Sequence, residues 1–226
     1  MQITYYGHAC FNLKIGNQSI LFDPFITPND LAKEIDISTL KPDYLLLSHA
    51  HQDHIADVEA VYANSKPLLI SNYEIVNYFG DKGLENNHPM NHGGSKTLGF
   101  GRVKMVNAIH TSSFPDGSYG GNPAGFVLET EEGSIYFAGD TALTYDMKLI
   151  GEEFNIKAAI LPIGDNFTMG IEDAIKAADF VGTDTIIGMH YDTFPYIEID
   201  HEKAKALANK AGKTLNLLNI GQTITL

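Results

Sequence analysis

A cluster of three histidines and an aspartate within six residues, placed directly after an apolar run, is the feature that most restricts how this chain can fold. Residues 43–48, Asp43-Tyr44-Leu45-Leu46-Leu47-Ser48, read as a strand buried on both faces. The chain then continues His49-Ala50-His51-Gln52-Asp53-His54. Alternate residues of an extended segment project to the same side, so His49 and His51 can converge on one ion where the strand ends. Two neutral imidazoles make only a partial site, since a catalytic zinc needs a further protein ligand and an open position for water. Asp53 and His54, where the chain turns into a helix, can face a second ion beside the first.

The missing donors stand at the ends of later apolar strands. His110 follows Val106-Asn107-Ala108-Ile109, Asp140 follows Tyr136-Phe137-Ala138-Gly139, and His190 follows Thr185-Ile186-Ile187-Gly188-Met189. Ligand sites of α/β folds commonly lie outside strand ends. A carboxylate such as Asp140 offers two oxygens, enough to bridge ions roughly 3.5–4 Å apart. Any one histidine after an apolar strand more often serves structure, but the set together reads as a metal site. Two divalent metal ions are expected, zinc first, with manganese, iron or nickel also suited to histidine and carboxylate donors.

Charge and cysteine content narrow the partners. A net charge of −13 disfavours nucleic acid and anionic membrane surfaces. The single cysteine, Cys10, excludes an internal disulfide and a cysteine-cluster site, and it reads as a small buried residue. No stretch is long and apolar enough to span a bilayer, and MQITYYGHAC lacks the pattern of a secretory signal, so a cytoplasmic location is expected. The expected partner is a small-molecule substrate, and a homo-oligomer is compatible with the sequence.

The 226 residues are expected to form one α/β domain, 1–226. A hairpin turns at Gly16-Asn17, a short helix covers 28–35, and another starts at Ile55. A strand at 67–71 leads into a helix at 72–79. Residues 83–94 read as a loop, and strands resume at 101–109, 125–130 and 134–138. The last third alternates: strand 158–163, helix 171–181, strand 185–189, helix 201–211, strand 215–220.

On these residues the chain resembles the metallo-β-lactamase superfamily, whose signature His-x-His-x-Asp-His is matched by His49, His51, Asp53 and His54. His110, Asp140 in a Gly-Asp-Thr setting and His190 follow in the family's order. Within the superfamily it is similar to small bacterial and archaeal metal-dependent hydrolases of unassigned substrate, related to sugar-phosphate lactonase-like and phospholipase-D-like members. Gly7-His8-Ala9-Cys10, Leu21-Phe22-Asp23-Pro24 and Gly164-Asp165-Asn166-Phe167-Thr168-Met169-Gly170 carry that likeness. The resemblance implies a four-layer αββα sandwich with the site at one edge. It implies one ion held by His49, His51 and His110, the other by Asp53, His54 and His190, and Asp140 bridging. Water activated between the ions is the implied nucleophile, with Asp53 or His190 assisting proton transfer. Gln52 stands where the flavo-diiron branch carries a glutamate ligand, so an oxygen-reducing di-iron centre is not expected.

His8 and Asp23 are expected to pair, either beside the site, where they would orient a metal ligand or the substrate, or as a hydrogen-bonded pair within the hairpin. Asp165, Thr168 and Met169 read either as substrate contacts or as a strand-to-helix turn with a helix cap. His88 and His92 belong to the 83–94 loop, as surface residues or as a cover over the site. His201, at a helix start, reads as structural, and Tyr119 has no fixed direction. The expected function is hydrolysis of a small ester, lactone or phosphoester metabolite. The alternatives are an RNA or phosphodiester nuclease of the same fold and a non-catalytic metal-binding regulatory module.

Overall fold

Gly16, at φ 57, and Asn17 supply the tight two-residue turn that joins β2 (Cys10–Ile15) to β3 (Gln18–Phe22). In a computed structural model, which describes residues 1–226, that hairpin is extended on its other side by β1 (Gln2–Gly7). Three parallel strands follow β3: β4 (Tyr44–Leu46), β5 (Leu68–Asn72) and β6 (Asn87–Met90). Side-chain alternation decides what each residue meets. Ile20, Phe22, Leu46 and Ile70 enter the core between the sheets, while Leu21, Leu45, Leu47 and Leu69 pack on the helices outside. Those helices are α1 (Gln52–Ile55), α2 (Val58–Ser65) and α3 (Tyr73–Asp81). Asn72 caps α3 by accepting from Ile75 N at 2.9 Å.

The second sheet begins with the antiparallel strands β7 (Ser95–Leu98), β8 (Gly101–Asn107), β9 (Ala124–Thr130) and β10 (Gly133–Phe137). It continues parallel through β11 (Ile156–Pro162), β12 (Thr185–Met189) and β13 (Thr214–Asn216). The helices α4 (Met147–Glu153), α5 (Ile171–Val181) and α6 (His201–Lys210) accompany this half of the chain, and a last strand, β14 (Thr223–Thr225), returns to pair with β1. Each sheet thus has seven strands. Phe22 stacks on Phe137 across the sheet interface at 4.4 Å between ring centroids, in a core of 45 buried residues. The architecture is the expected αββα sandwich.

Several local expectations change. Residues 83–94 are not loop throughout: 87–90 form β6, an edge strand in which Pro89 is tolerated because it can leave its nitrogen side unpaired. The helix expected from Ile55 begins at Gln52, inside the histidine motif. The strand expected over 215–220 ends at Asn216. No helix is long and apolar enough to cross a membrane.

What positions the site is strand direction. β1, β3 and β4 share one direction in the first sheet, and β8, β10 and β12 share one in the second. The carboxyl ends of these six strands deliver His8, Asp23, His49, His110, Asp140 and His190 respectively.

Candidate metal centre

The end of β4 is pinned before the histidines begin. Asp23 accepts from Ser48 N at 2.8 Å and from Ser48 Oγ at 2.5 Å, and the same serine oxygen lies 2.9 Å from His49 Nδ1. His51 remains extended as the residue preceding α1, so Asp53 and His54 turn with the helix. Ser112 steadies this segment by accepting from Ala50 N at 3.1 Å and donating to Gly120 O at 2.9 Å.

Besides a fully buried set, Asp23, His49 and His54, two groups of donor atoms result. His49, His51 and His110 converge in one, and Asp53, His54 and His190 in the other, where His8 joins them. Asp140 lies between. Its Oδ2 is 3.0 Å from His190 Nε2, 3.3 Å from His54 Nε2, 3.5 Å from His110 Nε2 and 3.9 Å from His49 Nε2. One carboxylate oxygen therefore faces ligand nitrogens of both groups.

The residues present fit divalent cations. His49 Nε2 faces His51 Nδ1 at 3.0 Å, so two imidazole nitrogens point at each other. His54 Nε2 and Asp140 Oδ1 are buried without a hydrogen-bond partner; the 3.3 Å approach of His54 to Asp140 lacks hydrogen-bond alignment. Buried polar atoms in this condition call for an ion or water. Asp23 Oδ2 takes His54 Nδ1 at 2.8 Å, which leaves Nε2 free to face a cation.

Burial lowers the pKa of His51 and His110, and burial together with the charge of His54 drives His49 well below its ordinary value. These are neutral donors. Burial alone would raise the carboxyls of Asp140 and Asp53. The facing imidazoles of His190 and His54 hold Asp140 well below the usual range, and His54 and His8 hold Asp53 low. For His54, burial is outweighed by Asp140, Asp53 and Asp23, and its pKa rises. An ion binding there displaces that proton.

The seven residues expected around the ions are all brought together. The expected His8–Asp23 pair does not form. Asp23 is taken by Ser48 and His54, whereas His8 Nε2 lies 3.0 Å from Asp53 Oδ2 and His8 Nδ1 lies 3.0 Å from Thr193 Oγ1. The reason is strand order: β2 lies between β1 and β3, so residues at their two ends are not neighbours.

His51, Asp53, His110, Asp140 and His190 form the floor of a cleft of about 270 Å³ walled by Phe167 and Phe194. Asp165 is exposed, and neither it nor Thr168 lines this cleft or caps α5, whose N-cap is Gly170. Met169 is buried and ties the segment to the site by donating its N–H to Thr141 O at 3.1 Å. The neighbour that does reach the cleft is Phe167. Sequence reasoning missed Phe167, Phe194 and Thr193, since an aromatic or a threonine in a loop gives no directional signal. His88 sits in β6, His92 Nε2 lies 2.8 Å from Pro123 O, and Tyr119 donates to Asn122 Oδ1 at 3.1 Å. None of the three lines the cleft. His201 is structural as expected, 2.6 Å from Asp192 Oδ2, and Cys10 is fully buried.

Comparison with known proteins agrees with this geometry. Residues 2–190 match the profile of the Beta-lactamase superfamily domain. The chain is 61% identical to a UPF0173 metal-dependent hydrolase of Christiangramia forsetii and 58% identical to one of Flavobacterium johnsoniae, each time covering 100% of both chains. Among solved structures it is similar to Igni18, a metallo hydrolase from the archaeon Ignicoccus hospitalis. The TM-score is 0.89 and the identity 32%, over 99% of this chain and 97% of that one. A sandwich of this topology, donors at its strand ends and relatives alike over their whole length together identify the chain as a metal-dependent hydrolase that belongs to the metallo-β-lactamase superfamily.

Proposed function

We propose that the chain hydrolyses a small ester, lactone or phosphoester at a centre of two divalent ions, with neutral esters and lactones ranked first. The observation that carries the two-ion reading is Asp140 Oδ2, set within 3.9 Å of ligand nitrogens from both donor groups. His49, His51 and His110 would hold one ion and Asp53, His54 and His190 the other, with Asp140 shared. Bound there, zinc, or manganese, iron or nickel, supplies Lewis acidity and brings the pKa of water toward roughly 7.

The chain's own residues do the rest. Asp140 and the buried imidazoles keep the centre rigid, which costs no reorganisation during reaction. Asp53 and His190, two of the floor residues, would assist proton transfer near the leaving group. Asp53, being ionised, accepts a proton before it can return one. Phe167 and Phe194 exclude water and favour an apolar substituent beside the scissile bond.

The cleft's lining includes no lysine or arginine, so the charge of a phosphate monoester dianion would fall on the ions alone, which ranks neutral esters and lactones ahead of it. With the net charge of −13, the same observation ranks small molecules above RNA and membrane surfaces as partners. The test is elemental analysis of purified protein, reloading with the ion found, and a panel of carboxylic esters, lactones, thioesters, phosphomonoesters and phosphodiesters. Turnover of esters or lactones is expected. Turnover restricted to RNA or phosphodiesters would favour the nuclease, and a fully loaded protein inert on the whole panel would favour the regulatory module.

A further inference from the structure

His8 is buried to 1% exposure and held on every side. Its carbonyl accepts from His190 N at 2.9 Å, and its ring lies 4.2 Å from the ring of His190. Phe25 and Phe194 close edge-on around it, each at 5.5 Å. The residue is therefore fastened to both sheets, by the turn after β1 and by the segment after β12.

Its Nε2 lies 3.0 Å from Asp53 Oδ2, and no other group in the structure hydrogen-bonds that carboxylate. Asp53 otherwise stands on a helix of 4 residues with its side chain 25% exposed to the cleft. The nearest nitrogens of the second donor group, on His190 and His54, are 3.8 and 3.9 Å from Asp53 Oδ2. Without His8 this carboxylate could swing into the cleft.

The hydrogen-bond pattern selects one tautomer. An ionised carboxylate only accepts, so Nε2 carries the hydrogen and Nδ1 accepts. Thr193 Oγ1, 3.0 Å from Nδ1, is the donor it requires, and the competing acceptor, Tyr191 O, is farther from that hydroxyl at 3.3 Å.

We propose that His8 is a positioning residue of the second donor group: it donates to Asp53 and fixes that carboxylate toward His54 and His190, with Thr193 setting its tautomer. The assignment rests on the two-ion reading above. Partners of this kind typically change metal affinity about 10–100-fold when removed.

The test uses the full chain and zinc, with the two dissociation constants obtained by chelator competition and the melting temperature of the metal-free protein measured alongside. His8→Phe keeps a ring but no donor, His8→Gln keeps a donor near the Nε2 position, and Thr193→Val removes only the group that sets the tautomer. In His8→Phe the first constant is expected to stay at the wild-type value while the second weakens about 10–100-fold. His8→Gln recovers part of that loss, and Thr193→Val weakens the second constant by a smaller factor. If His8→Phe does not fold, His8→Gln and Thr193→Val carry the test. Two unchanged constants in every variant would overturn the assignment. So would an equal loss at both ions accompanied by a lower metal-free melting temperature, or a wild-type chain that binds one ion only. The two readings fail separately: a wild-type protein loaded with two ions yet inert on the ester panel counts against the substrate, not against His8.

Discussion

The two donor groups share Asp140 but are built differently. In the first, His51 and His110 are half-buried, and the outer support is light: Ser48 Oγ near His49 and Thr111 Oγ1 at 3.4 Å from His51. In the second, His54, His190 and His8 are buried, with Asp23 behind His54 and Thr193 behind His8. Left-handed backbone falls in this group and not in the first, with His8 at φ 55, Asp23 at φ 39 and His190 at φ 55. A nearly contiguous stretch of chain can place the first group's two motif histidines. The second needs turns from both sheets locked against each other.

That contrast can be broken by metal removal, where the largest effect is expected. Chelation should abolish activity and release the ions in two phases, the first from the group in which His51 and His110 are half-buried. Release in a single phase, followed by elemental analysis over time, would contradict the difference in shielding. Asp140→Ala should come next, because it removes the one oxygen facing both groups. Several kcal/mol of charge stabilisation are at stake, so kcat/KM should fall by roughly a thousandfold or more at 1.36 kcal/mol per tenfold. Metal content should drop at both positions.

Asp23→Asn sharpens the comparison. Asp23 meets His54 directly and His49 only through Ser48, so the second ion should bind about 10–100-fold more weakly while the first is weakened less. Equal weakening of both ions, read by chelator competition, would mean that Asp23 supports the strand end through Ser48 rather than His54. Ser112→Ala is the smallest perturbation and falls on the other side. It removes the hydroxyl that accepts from Ala50 N and donates to Gly120 O, for a cost of about 1 kcal/mol. A lower melting temperature with an unchanged second-ion affinity is the expected result.

Much of the centre was legible because its rules are local. His49 and His51 are read from the period of an extended chain, and His110, Asp140 and His190 from their place after apolar strands. The amphipathic helix over Ile171–Val181 and the strand Thr185–Met189 were likewise read to the residue, since each buries its apolar positions at its own period. Edge elements were harder. β6 contains a proline and reads as loop, and β14 finds its partner β1 from the opposite end of the chain.

His8, Asp23 and Phe167 mark the boundary most clearly. The sequence identified His8 and Asp23 as belonging near the site, yet which residue each one holds depends on β2 lying between their strands. It pointed to the segment containing Asp165 and Thr168, but the turn carries Phe167, not those two, into the cleft. The sequence by itself determined the donor types and the strand ends that carry them, because strand periodicity and ligand chemistry act over a few residues. Only the tertiary structure decided which donors share Asp140, which hydrogen bonds orient them and what walls the cleft. Those depend on strand order and on two sheets packing face to face, distances that no local pattern encodes.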